Sequence, residues 1–508
     1  VYPETSGGEQ RGLDGGPLRG CGLLAVHEGE GASVRHGMFS ARRVRMRAFF
    51  KLREVLGLVV AVVGVGYGLG GVADAGGALS NRHVVLISID GFPAASWRDQ
   101  SIPLPNLRRL AERGAVADAM GVSNPSITWI NHTTLVTGVT PRRHGVLGNG
   151  LHMRSATGGP VRIEQWVDRS KMVFAPTVYD QAFYQGLTVG EVDWVAIKNA
   201  GTVHWSFPEI PDAEGALESE MIRAGKLTSE EVGWMKPGAG RKSPSFMDAL
   251  WNRAACYLIE THRPNLLMLH YLNTDASHHA SGPGSAAGAT ALAYADRLVG
   301  DVVESVRRAG IEERTTFVIT TDHGFKRVEK VIYPGVVLRQ KGLAEVFGQK
   351  FVGGDVSTLP MGGMCLVFVN EPTRKAEFAP RIREIFGSLE GIAEVVDADD
   401  APRFGMPTAA ENAGMGDFIL FAKSGYAFQP GAVGDVAVAV SQNYRGTHGY
   451  RADDPELDGI FLAVGCGVKS GVRLGRISNL DVAPTVARLL GIRMEGVEGK
   501  VLEGALKE

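Results

Sequence analysis

The chain has 508 residues, with 53 basic side chains against 55 acidic ones and a formal net charge of −2. At 44% hydrophobic and 21% charged residues it is neither disordered nor fibrous, and the balanced charge excludes a general pull towards nucleic acid. The four cysteines, Cys21, Cys256, Cys365 and Cys466, are far apart and form no CxxC pair. That excludes a thiolate metal site, and the three beyond residue 75, Cys256, Cys365 and Cys466, are expected to be buried thiols without a chemical role.

Residues 1–45 are glycine-rich and show neither helical nor strand periodicity, so they are expected to be an extension outside the native fold, with translation starting at Met46. Residues 46–75 have the layout of a secretory signal. Arg47, Lys51 and Arg53 precede eighteen uncharged residues from Val55 to Val72, and Ala73 and Ala75 supply small residues for cleavage. A retained membrane anchor over 55–72 is the competing reading, at the lower limit of length for a span. The folded domain is then expected over 76–508, exported to the periplasm or secreted, with a membrane partner only if the segment is kept.

Beyond residue 80 the pattern alternates between strand and helix. His83–Ile89 (HVVLISI) reads as a strand buried on both faces. A helix is predicted over 106–113, and a stronger one over 246–261, with Phe246, Leu250, Ala254 and Leu258 on one stripe. Residues 266–272 (LLMLHYL) and 315–321 (TTFVITT) read as further buried strands, separated by a helix around 291–308 that Gly310 ends. A strand over 460–464 and a helix over 481–490 close the chain. Such alternation predicts a three-layer α/β/α sandwich around a mostly parallel sheet. Residues 200–245 and 330–440 fit the rhythm poorly and are expected to be insertions above the sheet, forming a lid or subdomain.

Open α/β sheets bind ligands beyond the carboxyl ends of their strands, and polar residues gather there. Asp90 follows the first strand. Asp275 follows LLMLHYL, with His279 four residues later, and Asp322 and His323 follow TTFVITT. His448 sits between glycines in GTHG. One Asp after a strand is commonly a turn or cap residue. Six such positions at strand ends read instead as a metal-ligand constellation, whose carboxylate and imidazole donors suit zinc, manganese or iron. Thr128 stands before a helical pattern over 130–136, where the helix dipole favours an alkoxide and a phosphate. On local sequence alone, the reading of Ser126 or Thr128 as a simple helix cap is the favoured one.

The segments SIDGF (88–92), SITWINHTTLVTG (126–138), DASHH (275–279), TDHGF (321–325) and GTHGY (446–450) occur in this order. Together with ISNLDVAPTVARLLGI at 477–492, they resemble the alkaline phosphatase superfamily, of the type I phosphodiesterase/nucleotide pyrophosphatase kind. The resemblance covers about residues 82–508 in scattered motifs. It implies an alkaline-phosphatase-like catalytic domain with two Zn²⁺ ions. One ion would be held by Asp275, His279 and His448, the other by Asp90, Asp322 and His323 with the Thr128 hydroxyl. It also implies hydrolysis of phosphodiester or pyrophosphate bonds through a covalent phosphothreonine at Thr128, with Asn149 donating to a phosphoryl oxygen. The substrate would be a small phosphate ester such as a nucleotide.

Alternatives on the same site are a phosphomonoesterase or phosphonate hydrolase, with Lys198 gripping the extra charge, or a binding protein that has lost catalysis. A sulfatase is excluded, because the residues after Thr128 lack the x-Pro-x-Arg that sulfatase maturation needs. His278 reads as a solvated neighbour of His279, and His132 and His144 as structural hydrogen-bonding residues. Trp205, Phe207 and Phe351 read as packing residues before base-stacking ones.

Overall fold

Strand β1 (His83–Ile89) buries all seven of its residues. Val84 and Leu86 enter one apolar layer, while Val85, Ile87 and Ile89 enter the other, as a strand covered on both faces requires. The structure, a computed structural model, describes residues 81–238 and 243–508. The extension 1–45, the signal or anchor segment 46–75 and Cys21 lie outside the described residues.

Helix α1 (Pro105–Glu112) begins on proline, whose fixed φ and missing N–H suit a first turn. It leads to β2 (Ala115–Gly121), and a loop then enters α2 (Thr128–Thr137). Strands β3 (Val189–Val192) and β4 (Trp205–Phe207) follow. Helix α3 (Pro244–Thr261) is capped by Ser243, which accepts from the Phe246 N–H at 3.2 Å. β5 (Leu266–Tyr271) runs directly into α4 (Asn273–Ser281). α5 (Ala286–Arg308), capped by Ser285, ends before Gly310 at φ +69°. β6 (Thr315–Thr320) and β7 (Lys326–Ile332) come next. Then follow β8 (Val356–Met361), β9 (Met364–Val369), α6 (Lys375–Gly387), β10 (Ile392–Asp397) and β11 (Phe418–Ala422). β12 (Phe461–Gly465), β13 (Val472–Ser478) and α7 (Val482–Leu490) complete the described elements that matter here.

The central sheet has eight strands in the order β13-β2-β12-β6-β1-β5-β3-β4. All neighbours pair parallel except β12, which is antiparallel to β2 and β6. Residues of α1, α3 and α5 cover one face, and residues of α2 and α7 the other. This is the expected three-layer α/β/α sandwich.

The described residues of 200–245 do not stand above the sheet. Trp205–Phe207 is its edge strand, and the short helices Ala216–Arg223 and Ser229–Met235 bury Leu217, Met221, Val232 and Met235 in the main core. Their outer faces are polar, which is what made the segment read as an insertion. Within 330–440, β8, β9, β11 and β10 form a separate antiparallel sheet in that order. One face of it packs on α6, and the other meets Ile127, Trp129 and Ile130 around the start of α2. Cys365 is buried, but Cys256 and Cys466 are only half-buried, so the reading of three buried thiols holds for Cys365 alone. Among the described residues no helix is long and apolar enough to cross a membrane.

Candidate metal centre and nucleophile

The three central strands β6, β1 and β5 end side by side: Ser88 pairs with Thr320 and Ile89 with Tyr271. The Asp90 N–H donates to the Tyr271 carbonyl at 2.9 Å. Asp90 therefore stands next to the first turn of α4, which carries Asp275, and to Asp322 and His323 beyond β6. Four residues apart on α4, Asp275 and His279 share one face. Gly446 and Thr447 pair antiparallel with Arg327 and Lys326 of β7, which delivers His448 to the same place.

Two triads result, Asp275/His279/His448 and Asp90/Asp322/His323, each with ligand atoms within 4.8 Å of one another. In the first, His279 Nε2 and His448 Nε2 lie 3.3 and 3.5 Å from Asp275 Oδ1. In the second, His323 Nε2 lies 3.1 Å from Asp322 Oδ2 and 3.4 Å from Asp90 Oδ1. Every one of these imidazoles has its Nδ1 on a backbone carbonyl: His279 on Gly446 at 2.9 Å, His448 on Ser126 at 2.7 Å, His323 on Gly324 at 3.1 Å. The carbonyl accepts from the Nδ1–H and leaves the Nε2 lone pair facing the triad, as metal-ligating histidines are usually held.

Asp90 Oδ1, Asp275 Oδ1 and Asp322 Oδ2 are buried without a hydrogen-bond partner. Burial, then the charge of Asp275, raises the Asp90 carboxyl, and burial, then the charge of Asp90, raises Asp322 well above the usual range. For Asp275 burial also acts to raise the carboxyl, but the imidazoles of His279, His448 and His323 outweigh it and hold it low. Burial lowers His448 to about 4 and His323 well below the usual imidazole value, keeping both as neutral donors. Unpaired buried carboxylates are costly, and a divalent cation in each triad resolves that cost. The donor set of oxygen and imidazole nitrogen without sulfur fits a catalytic transition metal.

Thr128 opens α2 and is buried, with its hydroxyl 3.4 Å from His323 Nε2. Neither Ser126 nor Thr128 caps the helix: Ile127 holds the N-cap position without a side-chain bond. Ser126 instead joins two loops, its hydroxyl accepting from the Gly449 N–H at 2.9 Å and donating to the Tyr450 carbonyl at 3.1 Å. The helix start is satisfied from outside, where Asn149 Oδ1 accepts from the Trp129 N–H at 3.1 Å. That bond sets Asn149 beside Thr128 with its amide NH₂ uncommitted.

His278 is fully buried, not solvated: its Nδ1 meets the Gly91 carbonyl at 3.1 Å, because α4 turns this position towards β1 while 275 and 279 face the triad. His144 is structural, bonded to Thr134 Oγ1 and the Val146 N–H. His132 bonds to the Thr128 carbonyl at 2.9 Å and lies 3.6 Å from Asp322 Oδ2, so it borders the centre. Lys198 is exposed and donates to the Trp166 carbonyl at 2.7 Å. Phe207 is core, Trp205 stacks on His262, and Phe351 packs at the second sheet. The aromatic pair beside Thr128 is a different one, Trp129 edge-on to Trp166 with centroids 5.7 Å apart. Sequence reasoning also missed His270 of β5, whose Nε2 is 3.0 Å from Asp90 Oδ2. A lone histidine in an otherwise apolar buried strand was the signal, since a buried polar group needs a partner.

Residues 84–451 match the family model for type I phosphodiesterase / nucleotide pyrophosphatase. The chain belongs to this family of phosphoric ester hydrolases. Ectonucleotide pyrophosphatase/phosphodiesterase family member 7 of Mus musculus is 24% identical over 443 residues, covering 84% of this chain and 87% of that protein. A venom phosphodiesterase of Macrovipera lebetinus is 23% identical over 247 residues, a match that spans only 26% of that protein. The murine ectonucleotide pyrophosphatase/phosphodiesterase 5 shares the fold at a TM-score of 0.63 and 16% identity, covering 84% of this chain and all of that one. An inactive form of that murine protein is solved in complex with AMP.

Proposed function

We propose that the chain is a two-zinc hydrolase of phosphodiester or pyrophosphate bonds in small nucleotide-like substrates, with Thr128 as nucleophile. The observation that carries this reading is the Thr128 hydroxyl at a helix start, 3.4 Å from His323 Nε2 and next to two triads with orphaned carboxylate oxygens. Asp275, His279 and His448 would hold one ion, and Asp90, Asp322 and His323 the other. Bound zinc would lower the pKa of the Thr128 hydroxyl and offset the negative charge that develops on the attacking and leaving oxygens.

The protein's own part is position. Thr128 Oγ1 attacks phosphorus, and the P–O bond to the leaving group breaks with its electron pair on the departing oxygen. On a diester the threonine then carries a phosphate that keeps one ester group, and water releases it from the other side. Asn149 keeps Oδ1 on the Trp129 N–H and turns its NH₂ to a non-bridging oxygen, where charge grows in the transition state.

A diester or pyrophosphate is favoured over a monoester for two reasons. Helix α2 reads TWINHTTLVT, with no lysine or arginine to grip a dianion. Lys198, the other candidate, is committed to the Trp166 carbonyl. An N-terminal export signal over 46–75 supports a periplasmic or secreted site of action. The test compares kcat/KM for bis-p-nitrophenyl phosphate and p-nitrophenyl phosphate on the zinc-loaded protein. A strong diester preference supports the reading, and a monoester preference moves the function to a phosphatase.

A further inference from the structure

His270 is the one histidine in β5, and its side chain is 2% exposed. Both of its ring nitrogens face carboxylates: Nε2 lies 3.0 Å from Asp90 Oδ2, and Nδ1 lies 3.1 Å from Asp193 Oδ2 and 3.1 Å from the Asp193 carbonyl. Asp193 is itself buried and held at φ +57°, a left-handed conformation that aspartate tolerates. Its N–H donates to the Phe207 carbonyl at 2.9 Å, so the ends of β3 and β4 fix it in place. The edge of His132 closes on the His270 ring with centroids 4.4 Å apart.

The two carboxylates of this triad are pinned differently. Asp322 Oδ1 accepts from the Gly91 and His323 N–H groups at 3.1 and 3.0 Å, which leaves Oδ2 for an ion. Those two donors are backbone, and the Thr321 hydroxyl lies 3.3 Å from the same oxygen. Asp90 has Oδ2 on a side chain, His270, which leaves Oδ1 turned to His323 Nε2 at 3.4 Å. We infer that His270, anchored by Asp193, is a positioning residue that makes Asp90 present one oxygen, Oδ1, to the ion of the Asp90/Asp322/His323 site. This rests on the two-metal reading and adds the device that sets the geometry of one of the two sites. His270 touches neither substrate nor ion.

Two substitutions of similar size separate positioning from packing. In His270→Gln the amide reaches the place of Nε2 and keeps the bond to Asp90. In His270→Asn it reaches only the place of Nδ1 and keeps Asp193 alone. Zinc titration of the metal-free protein against a chromophoric chelator reads the affinity of each ion. The wild type should bind two ions. His270→Asn should weaken one of them by about 10- to 100-fold, the usual effect of losing a group that orients a ligand, and leave the other unchanged, while His270→Gln recovers most of the loss. Equal losses in both variants, or no loss in either, would overturn the inference. Should His270→Asn fail to fold, His270→Phe, which keeps a ring but loses the bond to Asp90, must give the same one-site weakening, and two unchanged affinities there overturn it. A wild type that binds no second ion overturns the two-metal reading instead, and the role of His270 with it.

Discussion

Gly91 follows Asp90 at φ +65°, and a Cβ there would stand 2.8 Å from the Phe325 ring and 3.3 Å from the Asp275 Cα. Phe325 packs against His279, His323 and His448 with centroids 4.9, 5.9 and 5.4 Å away. Gly91→Ala should therefore destabilise the fold by about 1–3 kcal/mol and loosen metal retention, both read by thermal unfolding with and without zinc. Asn149 permits a finer test. Asn149→Asp keeps the acceptor for the Trp129 N–H but loses the donor, so it should lower kcat as much as Asn149→Ala, by about 10²–10³-fold. A normal kcat in Asn149→Asp would make Asn149 a helix-capping residue only. The six positions that gather in the two triads were legible at this scale because each is a polar side chain soon after an apolar run or between glycines. His270 and Asp193 were not: their meaning lies in a pairing across three strands, which spacing along the chain does not encode.

Among the elements, β1, α3, β5, α5, β6 and α7 were legible to within a few residues, since an unbroken apolar run or a clean stripe leaves little choice. The direction of β12 was not, because an apolar run reads the same in a parallel or antiparallel strand. The segment 200–245 misled for a related reason: its short helices hide only two or three residues each beneath a polar surface. β3 carries a titration that tests this packing. Glu191 accepts from the Trp194 N–H at 3.0 Å and from the Ser206 hydroxyl, and burial raises its carboxyl to about 7. The folded protein thus keeps a proton that the unfolded chain gives up near the ordinary glutamate value. The stability this gives is complete at low pH and is lost as pH rises through about 7. Relative to Glu191→Gln, the wild type should lose up to about 1.4 kcal/mol per pH unit between about pH 5 and 7 and then level off. Urea unfolding across that range measures it, and parallel profiles would show that Glu191 ionises freely in the fold.

Across the whole molecule, α2 is held from two sides, by the central sheet and by the second sheet of β8–β11. That clamp, with Ser126 joined to Gly449 and Tyr450, packs Thr128 and the His448 loop into one assembly. The metal-free protein should melt lower than the loaded one, because ions that bind only the folded state stabilise it by about 2.7 kcal/mol at a hundredfold excess over Kd. Fold class was legible from strand–helix alternation alone. The second sheet was not, because its strands are short, antiparallel and broken by glycine turns. The central claim is that Thr128 performs the chemistry beside a two-metal centre. The most direct measurement is the turnover of a phosphodiester by Thr128→Ala against wild type, with bound zinc counted in both. A fall of about 10³-fold or more, with both ions retained, is the predicted result. Turnover near the wild-type rate in the two-ion variant would contradict it.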